Sequence, residues 1–150
     1  VLLADYFQDL DPEEFFGRLD GWGRDLGVRF GTLTLMSNSR QALQAGEFAK
    51  DHGLFVPFHE ALFRAYFTDL RDIGDRQVVL DVAGETGLDA SALDAALDNG
   101  AYMHRLEAAT RLAREKGVTA APTFEIAGQE RIVGAVPLET FRTALRGAAG

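Results

Sequence analysis

The sequence contains no cysteine. No disulfide, thiolate metal ligand or thiol nucleophile can come from these residues. Histidine is scarce too: His52, His59 and His104 show no H-x-x-x-H spacing. No metal and no other cofactor is expected. Basic residues are outnumbered, 15 Lys and Arg against 23 Asp and Glu, for a net charge of -8 and a pI near 4.8. Nucleic acid and anionic membrane surfaces select basic patches, so neither is an expected partner. Long apolar runs are missing as well. None approaches the roughly 18 residues of a spanning helix; Asp, Glu or Arg interrupts each one. The opening "VLLADYFQDL" has no basic segment and no small-residue cleavage site, so it does not read as a signal peptide. It begins with Val1, as an interior point of a longer chain would.

What is present suits one globular domain. The chain has 150 residues, 47% of them hydrophobic, enough to fill a single core. Asp11, Pro12 and Glu14 make a helix start, with Leu10 and Phe15 at staple spacing. Phe15, Leu19, Trp22 and Leu26 then recur at helical spacing, with Trp22 as the expected core anchor and Gly27 as the stop. Residues 28–36, "VRFGTLTLM", read as extended. "SNS" at 37–39 offers caps for a helix reaching His52, its apolar face led by Leu43 and Phe48.

Residues 54–68 are the most aromatic stretch, with Phe55, Phe58, Phe63, Tyr66 and Phe67 on one broad helical face. That face reads as core first and as a substrate groove second. His59 among these rings reads as structural. Asp69, Arg71, Asp72 and Asp75 lack the glycine and terminal Glu of a calcium loop, so capping and turn roles are expected. Asp75 and Asp89 read as N-caps, with Leu88 and Leu93 at staple spacing. A further helix over 101–116 places Met103, Leu106, Ala109 and Ala113 on one face. Arg111, Arg114 and Lys116 complement its negative end, and Gly117 fits its C-cap.

Beyond Gly117 the period changes from helical to twofold. "TFEIA" and "ERIVG" read as a hairpin, with Gly128 and Gln129 as a two-residue turn. Pro137 opens a closing helix with Phe141 and Leu145 facing inward. The expected fold class is α+β, mainly helical. Such a hairpin wants more sheet than the rest of the sequence offers. From "APTF" alone, Pro122 is the first residue of an edge strand and its peptide bond is trans.

Three stretches together resemble the DsbA-like thioredoxin-fold thiol–disulfide oxidoreductases, in particular the FrnE-type branch. They are "NSRQALQAGEFAKDHG" (38–53), "FHEALFRAYFTDLRDIGD" (58–75) and "GVTAAPTFEIAG…IVGAVP" (117–137). The resemblance implies a partial thioredoxin-like fold. Residues 1–116 would be mostly helical insertion; residues 117–150 would carry the cis-proline loop, hairpin and final helix. It also implies that the family's strand, C-x-x-C helix and strand precede Val1. The catalytic thiols then have no counterpart here. Thr119, Ala120, Ala121 and Pro122 carry over as the opposing, substrate-binding wall, with Pro122 as the cis-proline. Protein or peptide thiols are the implied substrates, a cytoplasmic location is expected, and the chain alone is expected to be inactive and able to form homodimers. Two other functions fit a cysteine-free chain. One is a glutathione-dependent isomerase or kappa-type transferase relative, which uses serine. The other is a protein-interaction domain without enzyme activity.

Overall fold

Three aspartates start three of the helices. Asp11 accepts from the backbone N–H groups of Glu13 and Glu14 and opens helix α2 (Pro12–Arg24). Asp75 accepts from Gln77 and opens α5 (Arg76–Glu85). Asp89 accepts from Ser91 and Ala92 and opens α6 (Ala90–Asp98). Each carboxylate satisfies N–H groups that have no partner inside the helix. The computed structural model describes residues 1–148 and adds α1 (Leu3–Tyr6), α3 (Arg40–Asp51), α4 (Phe55–Phe67), α7 (Met103–Glu115) and α8 (Leu138–Ala148). Strands β1 (Thr123–Phe124) and β2 (Ile132–Val133) form an antiparallel two-stranded sheet. The architecture is mainly helical α+β.

The chain divides into a unit spanning Val1–Leu106 and a second that begins at Glu107. The first is built on α3, α4, α5 and α6, which pack against one another. Phe58, Val79, Val82 and Leu93 are its largest fully buried side chains. Ala42, Ala45 and Ala49 let α3 come close to its neighbours. A smaller cluster gathers Leu3, Phe16 and Leu33, with Leu10, Phe15 and Leu19 against it. Asp51 holds the α3 end to the α7 start. It accepts from Arg105 through both oxygens at 2.8 Å each and from the Tyr102 hydroxyl at 3.0 Å. The Arg105 guanidinium lowers the Asp51 pKa; burial, then Asp51 itself, raises that of the Tyr102 phenol.

Several expected details are corrected here. Trp22 is 71% exposed and Leu26 81%. The inward face of α2 runs instead through Phe16, Asp20 and Gly23. Asp20 accepts from the Phe30 N–H at 3.0 Å and from Arg29 at 2.7 Å, which turns Trp22 outward. Residues 28–36 contain no strand, only an isolated bridge between Leu35 and Leu2. Phe48 is buried as expected, but Leu43 is exposed, because the three alanines and Gln44 take the inward face of α3. Ala109 and Leu145 are exposed.

In the second unit, Thr123 pairs with Val133 and Phe124 with Ile132. The hairpin turn is wider than a two-residue one. Gln129 N–H donates to the Ile126 carbonyl at 3.0 Å, so Ala127 and Gly128 are its central pair and residues 125–131 connect the strands. Phe141 of α8 meets Phe124 edge-on, with centroids 4.7 Å apart. Among the described residues, no helix is long and apolar enough to cross a membrane.

Candidate functional site

The loop from Gly117 to Pro122 follows directly from how α7 ends. Gly117 has φ of +68°, a left-handed conformation that lacks a side-chain clash only in glycine. Its N–H donates to the Arg114 carbonyl at 2.9 Å, and that of Val118 to Ala113 at 2.8 Å. The helix thus closes its last carbonyls and releases the chain toward the hairpin. The Ala121–Pro122 peptide is cis. Pro122 precedes β1, and its carbonyl accepts from Gly134 N–H at 2.8 Å, extending the ladder by one bond. The Thr123 hydroxyl donates to the Ala120 carbonyl at 2.6 Å.

Thr119 and Ala121 alike make no backbone hydrogen bond among the described residues, and Ala121 is the one that adjoins the cis peptide bond. Among the described residues, neither its N–H nor its C=O has a hydrogen-bond partner. The structure brings Thr119, Ala120, Ala121 and Pro122 together in one exposed loop. No strand flanks the two-stranded sheet among the described residues, so both outer edges are open. An exposed, unpaired peptide group beside an open edge can bond to an extended chain. None of the four side chains is titratable, so the loop offers backbone and shape, not acid–base chemistry.

Charge lies just behind the loop. Glu125 sits 2.5 Å from the Arg131 guanidinium and 3.5 Å from the Lys116 ammonium. Both cations, Lys116 first, lower its pKa. Arg131 also donates to the Lys116 backbone carbonyl at 2.5 Å. Sequence reasoning missed this trio. Its one visible signal was opposite charge on facing arms of a hairpin, which suits a cross-strand pair.

The other candidates resolve into structural roles. Asp72 accepts from the Ser37 hydroxyl at 2.5 Å and from Gly74 N–H at 2.8 Å. Asn38 accepts from Arg40 N–H, whereas the Ser39 side chain makes no cap bond. Arg71 pairs with Asp81 and Glu85. Among the described residues no group of three or more His, Asp or Glu could hold a metal. The aromatic stretch divides in two. Phe58, Leu62 and Ala65 are core, while Phe55, His59, Phe63 and Phe67 follow one another along the adjoining, more open face of α4, their ring centroids 5.1, 4.5 and 5.6 Å apart. They line a cleft of about 390 Å³ together with Leu43 and Lys50 of α3.

A family model, the DSBA-like thioredoxin domain, matches residues 12–146. The chain belongs to this family. The uncharacterized protein YwbO of Bacillus subtilis (strain 168) is 31% identical over 105 residues, which cover 69% of this chain and 52% of YwbO. A probable DsbA oxidoreductase from Streptomyces coelicolor superposes with a TM-score of 0.81 at 26% identity, over 92% of this chain and 60% of that one. A candidate protein disulfide isomerase from Nitrosomonas europaea gives a TM-score of 0.65 at 19% identity, over 92% of this chain and 74% of its own; it supports the fold alone. This DsbA-like chain therefore spans about half the length of the curated relative it matches. It is a family member without cysteine.

Proposed function

We propose that this chain is the C-terminal portion of a DsbA-like protein disulfide oxidoreductase of the FrnE-type branch. Its task is to bind the substrate, and the exchanging thiols stand on a strand–C-x-x-C helix–strand unit before Val1. Thr119, Ala120, Ala121 and Pro122 form the substrate-facing wall. The observation that carries this reading is the exposed Ala121 peptide group, which has no hydrogen-bond partner among the described residues. An extended protein or peptide segment bonds there by strand addition, which fixes its sulfur relative to the attacking thiolate. In the reducing direction that thiolate attacks a substrate disulfide, forms a mixed disulfide and expels the other substrate sulfur as thiolate. The second thiol of the pair then resolves it.

The test is an insulin-reduction assay on the full-length gene product beside this chain. Activity in the first and none in the second is expected. An active-site cysteine pair missing from the full-length sequence would overturn the redox assignment. Full activity after Ala121→Pro, which deletes the N–H donor, would overturn the role of the wall.

A further inference from the structure

The substrate-facing loop has two ends, and one side chain reaches toward both. Arg131 lies on the return arm of the hairpin, next to Ile132 of β2. Its Nη1 donates to the Lys116 carbonyl, the last residue before Gly117. Its Nη2 lies 2.5 Å from Glu125, the first residue after β1. The guanidinium therefore spans from the residue before the 117–124 segment to the residue after it. Gly117 supplies no side chain on the path, and a methyl group there would come only to ordinary contact with Arg131, 3.8 Å.

This geometry does little for overall stability. The side chains of Lys116, Glu125 and Arg131 are 51%, 45% and 40% exposed, and exposed ion pairs contribute little. It does much for position. A planar guanidinium can serve a carbonyl and a carboxylate at once in a fixed fork, whereas an ammonium is a mobile point charge. The loop it brackets contains three consecutive small residues without charge, Thr119, Ala120 and Ala121, and the Ala121 peptide group has no internal bond to hold it.

We propose that Arg131 is a positioning residue: by clasping the Lys116 carbonyl and the Glu125 carboxylate together, it fixes both ends of the proline loop and so sets how the Ala121 peptide group is presented. This deepens the substrate-wall reading and rests on it for its functional meaning. The clasp itself is a property of this chain and can be tested without any redox chemistry.

The experiment uses this chain with Arg131→Gln, Arg131→Lys and Lys116→Gln. Backbone ¹⁵N order parameters are measured for residues 119–121, urea midpoints are recorded, and binding of a short extended valine–serine peptide is followed by chemical-shift titration at Ala121. In the wild type the loop should be ordered, near the rigid-backbone value of about 0.85. Arg131→Gln should lower it toward about 0.6 and weaken the peptide about fivefold to tenfold by loss of preorganisation, with little change in the midpoint. Arg131→Lys should fall between the two. Lys116→Gln removes an ion pair but leaves the backbone carbonyl, so order and affinity should match the wild type.

Unchanged loop order in Arg131→Gln overturns the clasp. So does a wild-type response in Arg131→Lys, or a loss in Lys116→Gln equal to that in Arg131→Gln; either would mean that charge alone acts. If the wild type binds no peptide, the wall reading falls while the order parameters still decide the clasp.

Discussion

Alanine substitution at three glycines of one helix should give opposite signs. Gly17, Gly21 and Gly23 all lie in α2. Replacing a helical glycine by alanine lowers backbone entropy in the unfolded chain and favours the helix by about 1 kcal/mol. At Gly17 and Gly21 an added methyl meets nothing within 4 Å, so the full gain should appear, roughly 0.5–1 kcal/mol each. At Gly23 the methyl would lie 2.6 Å from the Val28 carbonyl oxygen and 3.1 Å from the Phe30 ring. That oxygen belongs to backbone that cannot swing aside, because Val28 N–H donates to the Gly23 carbonyl at 2.9 Å. Phe30 is fixed in turn by its N–H bond to Asp20. Overpacking of this kind costs about 1–3 kcal/mol. It outweighs the helix gain and leaves Gly23→Ala about 1–2 kcal/mol less stable than wild type. The separation between Gly21→Ala and Gly23→Ala is then about 1.5–3 kcal/mol, or on the order of 1 M in urea midpoint for a domain this size. Equilibrium urea unfolding of the three variants measures it directly. A Gly23→Ala midpoint at or above that of Gly21→Ala would refute the close packing of α2 on residues 28–30.

Other outcomes follow from the same geometry. Phe58 is fully buried, so Phe58→Ala should cost about 3–5 kcal/mol; a thermal midpoint within a few degrees of wild type would contradict its place in the core. Asp20 has its pKa pushed far down, first by the Arg29 side chain and then by Phe30 N–H. A depressed carboxylate stabilises the fold above its unfolded pKa of about 4, and that stabilisation is lost as the pH falls through the folded value. Wild type should therefore exceed Asp20→Asn in urea midpoint at neutral pH, the gap closing as the pH drops below about 4; a gap that widens in acid is the wrong sign. Trp22 and Leu26 in the first unit, and Val133, Leu138 and Leu145 in the second, are each more than half exposed, and the chain is expected to associate through such apolar side chains. Light scattering should show mass rising with concentration, and a constant monomer mass would count against it.

Much of the fold was legible where the physics is local. The caps at Asp11, Asp75 and Asp89 depend only on the next two or three residues. The staple pairs followed for the same reason: Leu88 and Leu93 are both buried, and Leu10 and Phe15 both pack on the smaller cluster. Gly117 was readable because a left-handed C-cap has a strong residue preference. Trp22 was misread because helical periodicity gives a stripe but not its rotation. Here the rotation is set by Asp20 reaching residues nine and ten positions further on. Residues 28–36 have the composition of a strand, but strands need partners and composition does not supply them. At the site, the loop residues came from a motif. The clasp of Arg131 on Lys116 did not, since it joins positions fifteen apart through a backbone carbonyl. No spacing rule encodes such a bond.

The helical group α3–α6 has a kinetic consequence. Its helices pair mostly with neighbours along the chain, α3 with α4, α4 with α5 and α5 with α6, and folds dominated by such short-range pairings form fast. All of its members have been synthesised by Asp98. On a ribosome building the chain from its N-terminus, the residues of this bundle leave the exit tunnel before those of the hairpin do. The bundle draws its core from residues made before the proline loop, so its folding need not wait for that loop.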